Sequence, residues 1–263
     1  MSQQQIHPTA IVAPEAKLGE GVIIAPYAVI AGQVEIGANT VIGPHVVIHR
    51  FVRLGERNRV HAHAVLGDVP QDIAFSGPET RVEIGDDNVI REGVTIHRST
   101  TPGYPTSIGS NCLLMAYAHV AHDCRVGNGA TLTNNVGLGG HVEVGDRAVL
   151  GGGVLIHQFV RIGCYAMVGG FVGVRKDVLP YSLVAGNPAR HYRLNTIGLR
   201  RAGVTGQRYR VLEAAFRALR ADRDLGELAG TPELAYLRAW LSAPSRRGLT
   251  GFLSEGRADP DSD

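Results

Sequence analysis

The sequence contains very few lysines. Of its 26 basic residues only Lys17 and Lys176 are lysine, and all the others are arginine. The chain of 263 residues also has one tryptophan and only 19% charged residues, but 34 glycines. This composition favours a turn-rich β-solenoid in one large or two small domains. The net charge of +2 is unremarkable, and we expect no nucleic-acid partner.

Features of a secreted or membrane-anchored protein are also missing. Cys112, Cys124 and Cys164 are too few for a disulfide framework and are expected to be buried thiols. The polar start of the chain offers no basic segment followed by an apolar one, and the apolar stretch at residues 22–32 contains Pro26. We therefore expect a cytoplasmic protein without stable membrane insertion.

An aliphatic residue returns at every sixth position from Ile6 to Val174, and two interruptions leave the count in phase. Two positions before most of these aliphatic residues stands a small or β-branched one. Neither an amphipathic helix nor an ordinary strand has a period of six. Three six-residue sides close a coil of about 18 residues, and successive coils stack at about 4.8 Å. The repeat predicts an all-β parallel β-helix shaped as a triangular prism.

The interruptions and the end of the repeat define the predicted domains. Residues 1–189 form the β-helix, with excursions at 67–80 and 98–107 that are expected to be functional loops. Residues 190–256 are expected to form a helical cap, with helices beginning near Thr205 and Thr231. Nine arginines between Arg190 and Arg223 predict either a phosphate-binding or acidic-partner surface, or a plain solvated helix face. Residues 257–263 are expected to be disordered.

Four of the eleven histidines come close together when the coil length is applied. The spacing from His122 to His141 and the spacing from His141 to His157 are both near the length of one coil. We therefore expect these three to stack along one edge, near His119. Asp123 follows His122 directly and can orient a general-base imidazole. Because no serine nucleophile is evident beside it, direct removal of a proton from an acceptor hydroxyl is the chemistry that this pattern favours.

Several stretches resemble the UDP-N-acetylglucosamine 3-O-acyltransferases of lipid A biosynthesis across nearly the whole chain. They are Arg81-Val-Glu-Ile-Gly85, Thr95-Ile-His-Arg98, Asn111-Cys-Leu-Leu-Met115, Ala118-His-Val-Ala-His-Asp-Cys124, Gly139-Gly-His141 and Ile156-His-Gln-Phe159. The resemblance implies a left-handed β-helix and a cytoplasmic homotrimer. It also implies transfer of a (3R)-3-hydroxyacyl group from acyl carrier protein to the sugar 3-hydroxyl, without a cofactor or metal.

The resemblance also implies roles for individual residues. His122 is the general base, Asp123 its orienting partner, and the amide of Gly140 the oxyanion donor. Substrate-binding roles, in a groove between adjacent subunits, fall to a larger set: Asp72 and His141 with His119, His157, Gln158, Asn195 and Arg201. Gly170 falls where the family limits acyl length; glycine implies room for a long chain, although the neighbouring Phe171 could shorten it.

One stretch departs from the family pattern. The family usually has Gln-Asp-Leu-Lys-Tyr in the first excursion, whereas this chain has Ala74 and Phe75 at the last two positions. Ala202 likewise stands where a second arginine is common, and an arginine such as Arg81 would have to replace the missing lysine. Three alternatives stay open: transfer to a 3-amino sugar nucleotide, an inactive sugar-nucleotide-binding relative, and a zinc-dependent lyase that uses the histidines as ligands.

Overall fold

The computed structural model describes residues 5–226 and 228–253, and within them 28 strands precede three helices. The strands are β1 (Gln5–Ile6), β2 (Ile11–Val12), β3 (Lys17–Leu18), β4 (Ile23–Ile24), β5 (Val29–Ile30), β6 (Glu35–Ile36), β7 (Val41–Ile42), β8 (Val47–Ile48), β9 (Val52–Leu54), β10 (Arg59–Val60), β11 (Val65–Asp68), β12 (Val82–Ile84), β13 (Val89–Ile90), β14 (Thr95–His97), β15 (Thr106–Ile108), β16 (Leu113–Leu114), β17 (His119–Val120), β18 (Arg125–Val126), β19 (Thr131–Leu132), β20 (Gly137–Leu138), β21 (Glu143–Val144), β22 (Val149–Leu150), β23 (Leu155–Ile156), β24 (Arg161–Ile162), β25 (Met167–Val168), β26 (Gly173–Val174), β27 (Ser182–Ala185) and β28 (Arg190–Leu194). The helices are α1 (Thr196–Arg201), α2 (Gly206–Arg220) and α3 (Pro232–Ser242).

The strands form three sheets that are the faces of a parallel β-helix, as the six-residue repeat predicted. From β1 to β26, strands that pair are three places apart along the chain, so three strands make one coil. In an uninterrupted coil Ile24 pairs with Ile42, which is three repeats further along the chain. The repeat therefore sets both the shape of the cross-section and the register between coils.

The aliphatic positions of the repeat fill the interior of the prism. From Ile24 onward the repeat positions outside the two interruptions are at most 4% exposed. Ile6 is 43% exposed because it lies in the first coil, which is covered on one side only. The three cysteines are buried thiols, as predicted, and Cys124 donates to the carbonyl of Gly139 at 3.1 Å.

Both interruptions lengthen one coil without shifting its pairing. Irregular chain between β11 and β12 makes Val60 pair with Ile90, five repeats further along instead of three. Irregular chain between β14 and β15 makes Ile90 pair with Leu114, four repeats further along. Each interruption thus adds a whole number of repeats, which explains why the sequence keeps its phase.

The cap begins with a strand that the sequence did not predict. β27 continues the first sheet in parallel with β25, and β28 returns antiparallel to β27. The predicted boundary at residue 190 therefore falls inside a β-hairpin, and only the part from Thr196 onward is helical. Both expected helices are present, and Thr231 caps α3 by accepting from the amide of Leu234 at 3.2 Å.

Arg161 of the prism contacts the cap, and a buried ion pair with Asp177 holds its side chain in place. Nε of Arg161 in β24 lies 2.8 Å from Oδ2 of Asp177, and the guanidinium lies over the ring of Trp240 in α3. The predicted disordered tail lies outside the described residues. Within the described ranges, no helix is both long and apolar enough to cross a membrane.

Candidate active site

The site is built where successive coils turn the same corner. Asp123, His141 and Phe159 occupy equivalent positions in three successive coils, and each has a positive φ between 60° and 65°. This left-handed conformation is uncommon for residues other than glycine, although asparagine, aspartate and histidine adopt it more often than the rest. Because the same corner recurs in each coil, the three side chains lie above one another along one edge of the prism.

The pairing of coils corrects one expectation about the histidines. The ring of His141 stacks on Phe159, with centroids 4.6 Å apart, and meets His122 edge to face at 5.3 Å. Since β20 and β23 pair Leu138 with Ile156, the same register places His141 opposite Phe159 and not opposite His157. The expected stack of three histidines was therefore wrong in its third member.

His122 and Asp123 form a directly bonded pair. Nδ1 of His122 lies 2.7 Å from Oδ2 of Asp123. A carboxylate can only accept, so Nδ1 carries the proton and Nε2 is left as the basic nitrogen. The side chains are 12% and 7% exposed, so little water competes for this bond.

Thr100 from the second excursion also bonds to the carboxylate of Asp123. Its backbone amide donates to the two carboxylate oxygens at 3.2 and 3.1 Å, and its hydroxyl donates to Oδ2 at 2.7 Å. The backbone amide of Asp123 donates to Oγ1 of Thr106 at 2.8 Å. Burial alone would raise the pKa of Asp123, but the bonds from His122 and Thr100 hold it below its usual value.

Gly140 lies against the imidazole of His122. A Cβ added at Gly140 would be 2.5 Å from Cε1 and 2.7 Å from Nε2 of that ring. The carbonyl of Gly140 accepts from Phe159 at 3.1 Å, whereas its amide has no acceptor among the described residues. An uncommitted amide beside the basic nitrogen is the arrangement that an oxyanion donor requires.

His97 belongs to the same cluster and was missed as a candidate. Its ring is buried and meets the ring of His119 edge to face at 5.1 Å, and its Nδ1 has no partner among the described residues. Burial holds the pKa of His97 below its usual value and lowers that of His119 to about 4. His119 contacts Oγ1 of Thr95 at 2.7 Å. The available signal was the spacing from His97 to His119, which is close to the length of one coil extended by the second excursion.

The other candidates lie around this centre or apart from it. Asp72, in the first excursion, accepts from the amide of Ala74 at 2.9 Å. His157 and Gln158 are exposed on the coil that carries Phe159. Asn195 caps α1, accepting from Gly198 at 3.0 Å and donating to the carbonyl of Tyr165 at 2.8 Å. Exposed Arg201 ends the same helix.

Gly170 lies at a different edge of the prism. It precedes Phe171, which lies one coil after Gly153, and an added Cβ at Gly153 would be 2.8 Å from the Phe171 ring. Both Gly153 and Phe171 have a positive φ, so they form a corner column separate from that of Asp123 and His141. The structure of one chain therefore does not bring Gly170 to His122.

The excursions also show which arginine lies near Ala74 and Phe75. The guanidinium carbon of Arg98 is 5.2 Å from the Phe75 ring centroid and 5.6 Å from that of Phe51. Arg81 instead lines a cleft with Lys17 and several carboxylates near the first coils. Arg98 is therefore the cation in contact with this part of the excursion.

A metal could in principle use part of this cluster. His122, Asp123 and His141 each offer one ligand atom, and these atoms lie within 4.8 Å of one another. The Asp123 carboxylate, however, already accepts from His122 and Thr100. A metal bound there would have to replace these hydrogen bonds, so the donor set fits a hydrogen-bonded acid–base pair better than a metal site.

The chain is similar to one family of proteins over nearly its full length. The model for UDP-N-acetylglucosamine O-acyltransferase domain 2 matches residues 177–250, and that for bacterial transferase hexapeptide repeats matches residues 33–68 and 105–140. The acyl-[acyl-carrier-protein]–UDP-N-acetylglucosamine O-acyltransferase of Alkalilimnicola ehrlichii is 47% identical, over 93% of this chain and 98% of the relative. That of Thermodesulfovibrio yellowstonii is 40% identical over the same shares.

Solved structures agree with these matches. The UDP-N-acetylglucosamine acyltransferase of Campylobacter jejuni superimposes with a TM-score of 0.88 at 36% identity, over 95% of this chain and 100% of that one. The enzyme of Moraxella catarrhalis gives a TM-score of 0.82 at 38% identity, over 93% and 99%. The chain therefore belongs to the family of acyl-[acyl-carrier-protein]–UDP-N-acetylglucosamine O-acyltransferases.

Proposed function

We propose that the protein transfers a (3R)-3-hydroxyacyl group from acyl carrier protein to the 3-hydroxyl of UDP-N-acetylglucosamine, the first step of lipid A biosynthesis. The names of the relatives supply the reaction class. The observation that carries the proposal is the His122–Asp123 pair, whose free Nε2 lies beside the uncommitted amide of Gly140. A proton acceptor and a candidate oxyanion donor thus lie in neighbouring residues of one site.

The proposed mechanism uses this pair directly. Nε2 of His122 removes the proton of the sugar hydroxyl as its oxygen attacks the thioester carbonyl. The amide of Gly140 stabilises the negative charge that develops on the carbonyl oxygen. Collapse of this intermediate breaks the carbon–sulfur bond, and the departing thiolate takes the proton from His122. Asp123 keeps the imidazole in the required tautomer and stabilises its protonated form.

No cofactor takes part in this scheme, because the acyl group arrives already activated as a thioester. We assign sugar and nucleotide contacts to Asp72, His119, His141, His157 and Gln158 around the centre, and to Asn195 and Arg201 in the cap. Gly170 is assigned to the far end of the acyl chain. The site and the substrate classes support a cytoplasmic location for the reaction.

We also propose that the active form is a homotrimer. Residues assigned to one groove lie on two different corner columns, since Gly170 does not share an edge with His122. A second copy that presents its Gly170 edge to the His122 edge would complete the groove. Phe171, next to Gly170, is 89% exposed in the single chain and is therefore available to contact a second copy. Sedimentation should give three times the chain mass; a monomer that is fully active would contradict the proposal.

The function is tested by mass spectrometry of the product. The protein is incubated with 3-hydroxyacyl carrier proteins of several lengths and either UDP-N-acetylglucosamine or its 3-amino analogue. We expect an ester product, and loss of about 10²-fold or more in turnover for His122→Ala. Product from the amine alone would select N-acylation, and binding without product would select an inactive relative. Activity that depends on stoichiometric zinc would contradict the scheme.

A further inference from the structure

A cleft of about 410 Å³ opens beside the proposed acid–base pair, between the prism and the loop after α3. Asp123, His141 and Phe159 form one of its walls. Its remaining lining residues come from the second excursion, the outer face of one sheet and the cap: Thr101, Tyr104, Pro105, Arg125, Glu143, Arg161, Pro244 and Arg246. Three arginines in one cleft make it a candidate for an anionic ligand.

Two of the three arginines have carboxylates of the protein beside them. Arg161 forms its ion pair with Asp177 and also donates to the carbonyl of Trp240 at 3.2 Å. Arg125 lies over the ring of Tyr104 at 5.7 Å. Strand pairing places Arg125 and Arg161 on either side of Glu143 in the same sheet. Their charges are therefore partly balanced by carboxylates of the protein itself.

Arg246 lies in the loop after α3 and, unlike the other two, does not stand on a strand that pairs with the strand of Glu143. It is exposed, and within the described residues its guanidinium has neither a hydrogen-bond acceptor nor a carboxylate within salt-bridge distance. Its guanidinium carbon lies 4.6 Å from the ring centroid of Phe159. A cation held over an aromatic face keeps its N–H groups, which lie in the guanidinium plane, available for a second partner.

The position of Arg246 connects the cap with the reacting centre. The ring of Phe159 contacts the guanidinium of Arg246 and also stacks on the ring of His141. Nε2 of His141 in turn lies 3.7 Å from Oδ2 of Asp123. Burial holds the pKa of His141 below its usual value, and the nearby charge of Arg246 lowers it further although Asp123 opposes this. A ligand bound by Arg246 is thus held next to the acid–base pair.

We propose that Arg246 binds a phosphate group of a substrate in this cleft. Guanidinium recognises phosphate through two parallel hydrogen bonds, and Arg246 combines donors that are uncommitted among the described residues with a position against Phe159, close to the acid–base pair. The assignment rests on the proposed function, in which two substrates carry phosphate. One source is the diphosphate of the sugar nucleotide, and the other is the phosphodiester of the carrier protein's pantetheine arm.

The experiment compares ligands that differ only in phosphate. Binding of UDP and uridine, and of 4′-phosphopantetheine and pantetheine, is measured by calorimetry for the native protein and for Arg246→Gln. We expect the preference for one phosphorylated ligand over its phosphate-free partner to fall by about tenfold or more in the variant. The ligand pair whose preference falls identifies the substrate whose phosphate Arg246 binds. Arg246→Lys, which keeps the charge but not the planar fork, should give an intermediate preference.

The controls separate binding from structural damage. Arg59→Gln removes one positive charge from an exposed position of β10, away from the cleft, and should leave both preferences unchanged. Equal loss of affinity for UDP and uridine in Arg246→Gln would overturn the proposal, because it indicates a distorted cleft. Unchanged preferences in both pairs would overturn it as well.

The binding experiment and the test of acyl transfer can fail separately. If the native protein forms no acylated sugar nucleotide but Arg246 still sets the preference for a phosphorylated ligand, the proposed function fails and the phosphate site stands. If acyl transfer proceeds and neither preference depends on Arg246, the phosphate site fails and the proposed function stands. In the active protein, Arg246→Gln should raise the KM of one substrate and leave kcat within about threefold, since a phosphate contact made in both ground and transition state contributes uniform binding.

Discussion

Thr100 donates hydrogen bonds to the Asp123 carboxylate from both its backbone amide and its hydroxyl. It lies in a loop that interrupts the repeat one coil earlier. The second excursion therefore acts on the reacting pair through Asp123 and not only as a wall of the cleft. The Thr100 hydroxyl donates to Oδ2, the same carboxylate oxygen that His122 contacts. The orientation of the proposed general base thus depends on a segment that has no place in the six-residue register.

Replacement of Thr100 tests this dependence. Thr100→Val keeps the shape and the backbone amide but removes the hydroxyl donor, so kcat should fall by about tenfold, as expected for one hydrogen bond to a charged group. The lower limb of the pH–rate profile should move to higher pH, because Asp123 loses a bond that lowers its pKa. Thr100→Ser is the control and should restore both values. An unchanged profile in the valine variant would contradict the assigned role.

The charge of Asp123 is tested by Asp123→Asn. The amide keeps the size of the side chain but can present its NH₂ group to His122, which would favour the wrong tautomer. We expect kcat to fall by about 10²-fold or more with a smaller change in KM. Circular dichroism and the unfolding midpoint show whether the fold is retained. Activity within about threefold of the native enzyme would remove Asp123 from the mechanism.

The close approach of Gly140 to His122 predicts sensitivity to a single methyl group. In Gly140→Ala the new Cβ would lie 2.5 Å from Cε1 of the imidazole, so the ring must move. Turnover should fall by about 10²-fold. Gly152→Ala is a matched control, because its nearest contact would be an ordinary 3.7 Å to the carbonyl of Asn134. Equal activity of the two variants would contradict the proposed geometry.

His191 predicts a dependence of stability on pH. It is fully buried: Nε2 accepts from the amide of Leu179 at 3.0 Å, and Nδ1 donates to the carbonyl of Thr250 at 2.9 Å. Burial lowers the pKa of His191 to about 4, whereas the unfolded chain has a value of about 6.5. The unfolded state therefore binds the proton first as the pH falls.

This order of protonation sets the direction in which stability changes with pH. The contribution of His191 to stability is complete above about pH 6.5 and is lost progressively down to about pH 4, by at most about 1.4 kcal/mol per pH unit. Denaturant titrations across this range should show a shallower slope for His191→Gln than for the native protein. His119 has a pKa lowered in the same direction, so the difference between the two proteins is the quantity to measure. Identical slopes would contradict the prediction.

The sequence predicted the prism because every coil repeats the same burial. Ile24 and the aliphatic positions that follow it outside the interruptions are interior, as the period of six requires. The same period placed His122 and His141 in contact. It failed for His157 because the spacing from His141 falls short of a full coil. That shortfall places His157 before the corner, where Phe159 stands instead.

Other contacts could not be predicted from the repeat. Thr100 lies in an excursion, where no periodic pattern fixes its position relative to Asp123. Arg246 reaches Phe159 from the cap, and the two residues are brought together by the packing of α3 on the prism. β28 was expected to be part of a helical region, but its pairing with β27 decided its structure. Contacts between segments of different kinds follow from the assembled fold rather than from local pattern.

Because the prism is built of stacked coils, its length can change without a change in the geometry of the active site. Each coil pairs only with the coil below and the coil above, and a solenoid of this kind is stabilised by neighbour contacts alone. The distances among His122, Asp123 and Gly140 are set within two adjacent coils. Duplication or deletion of a complete coil in the stretch before β9 would lengthen or shorten the rod and leave those distances as they are. The length of the prism can therefore change during evolution while the reaction stays the same.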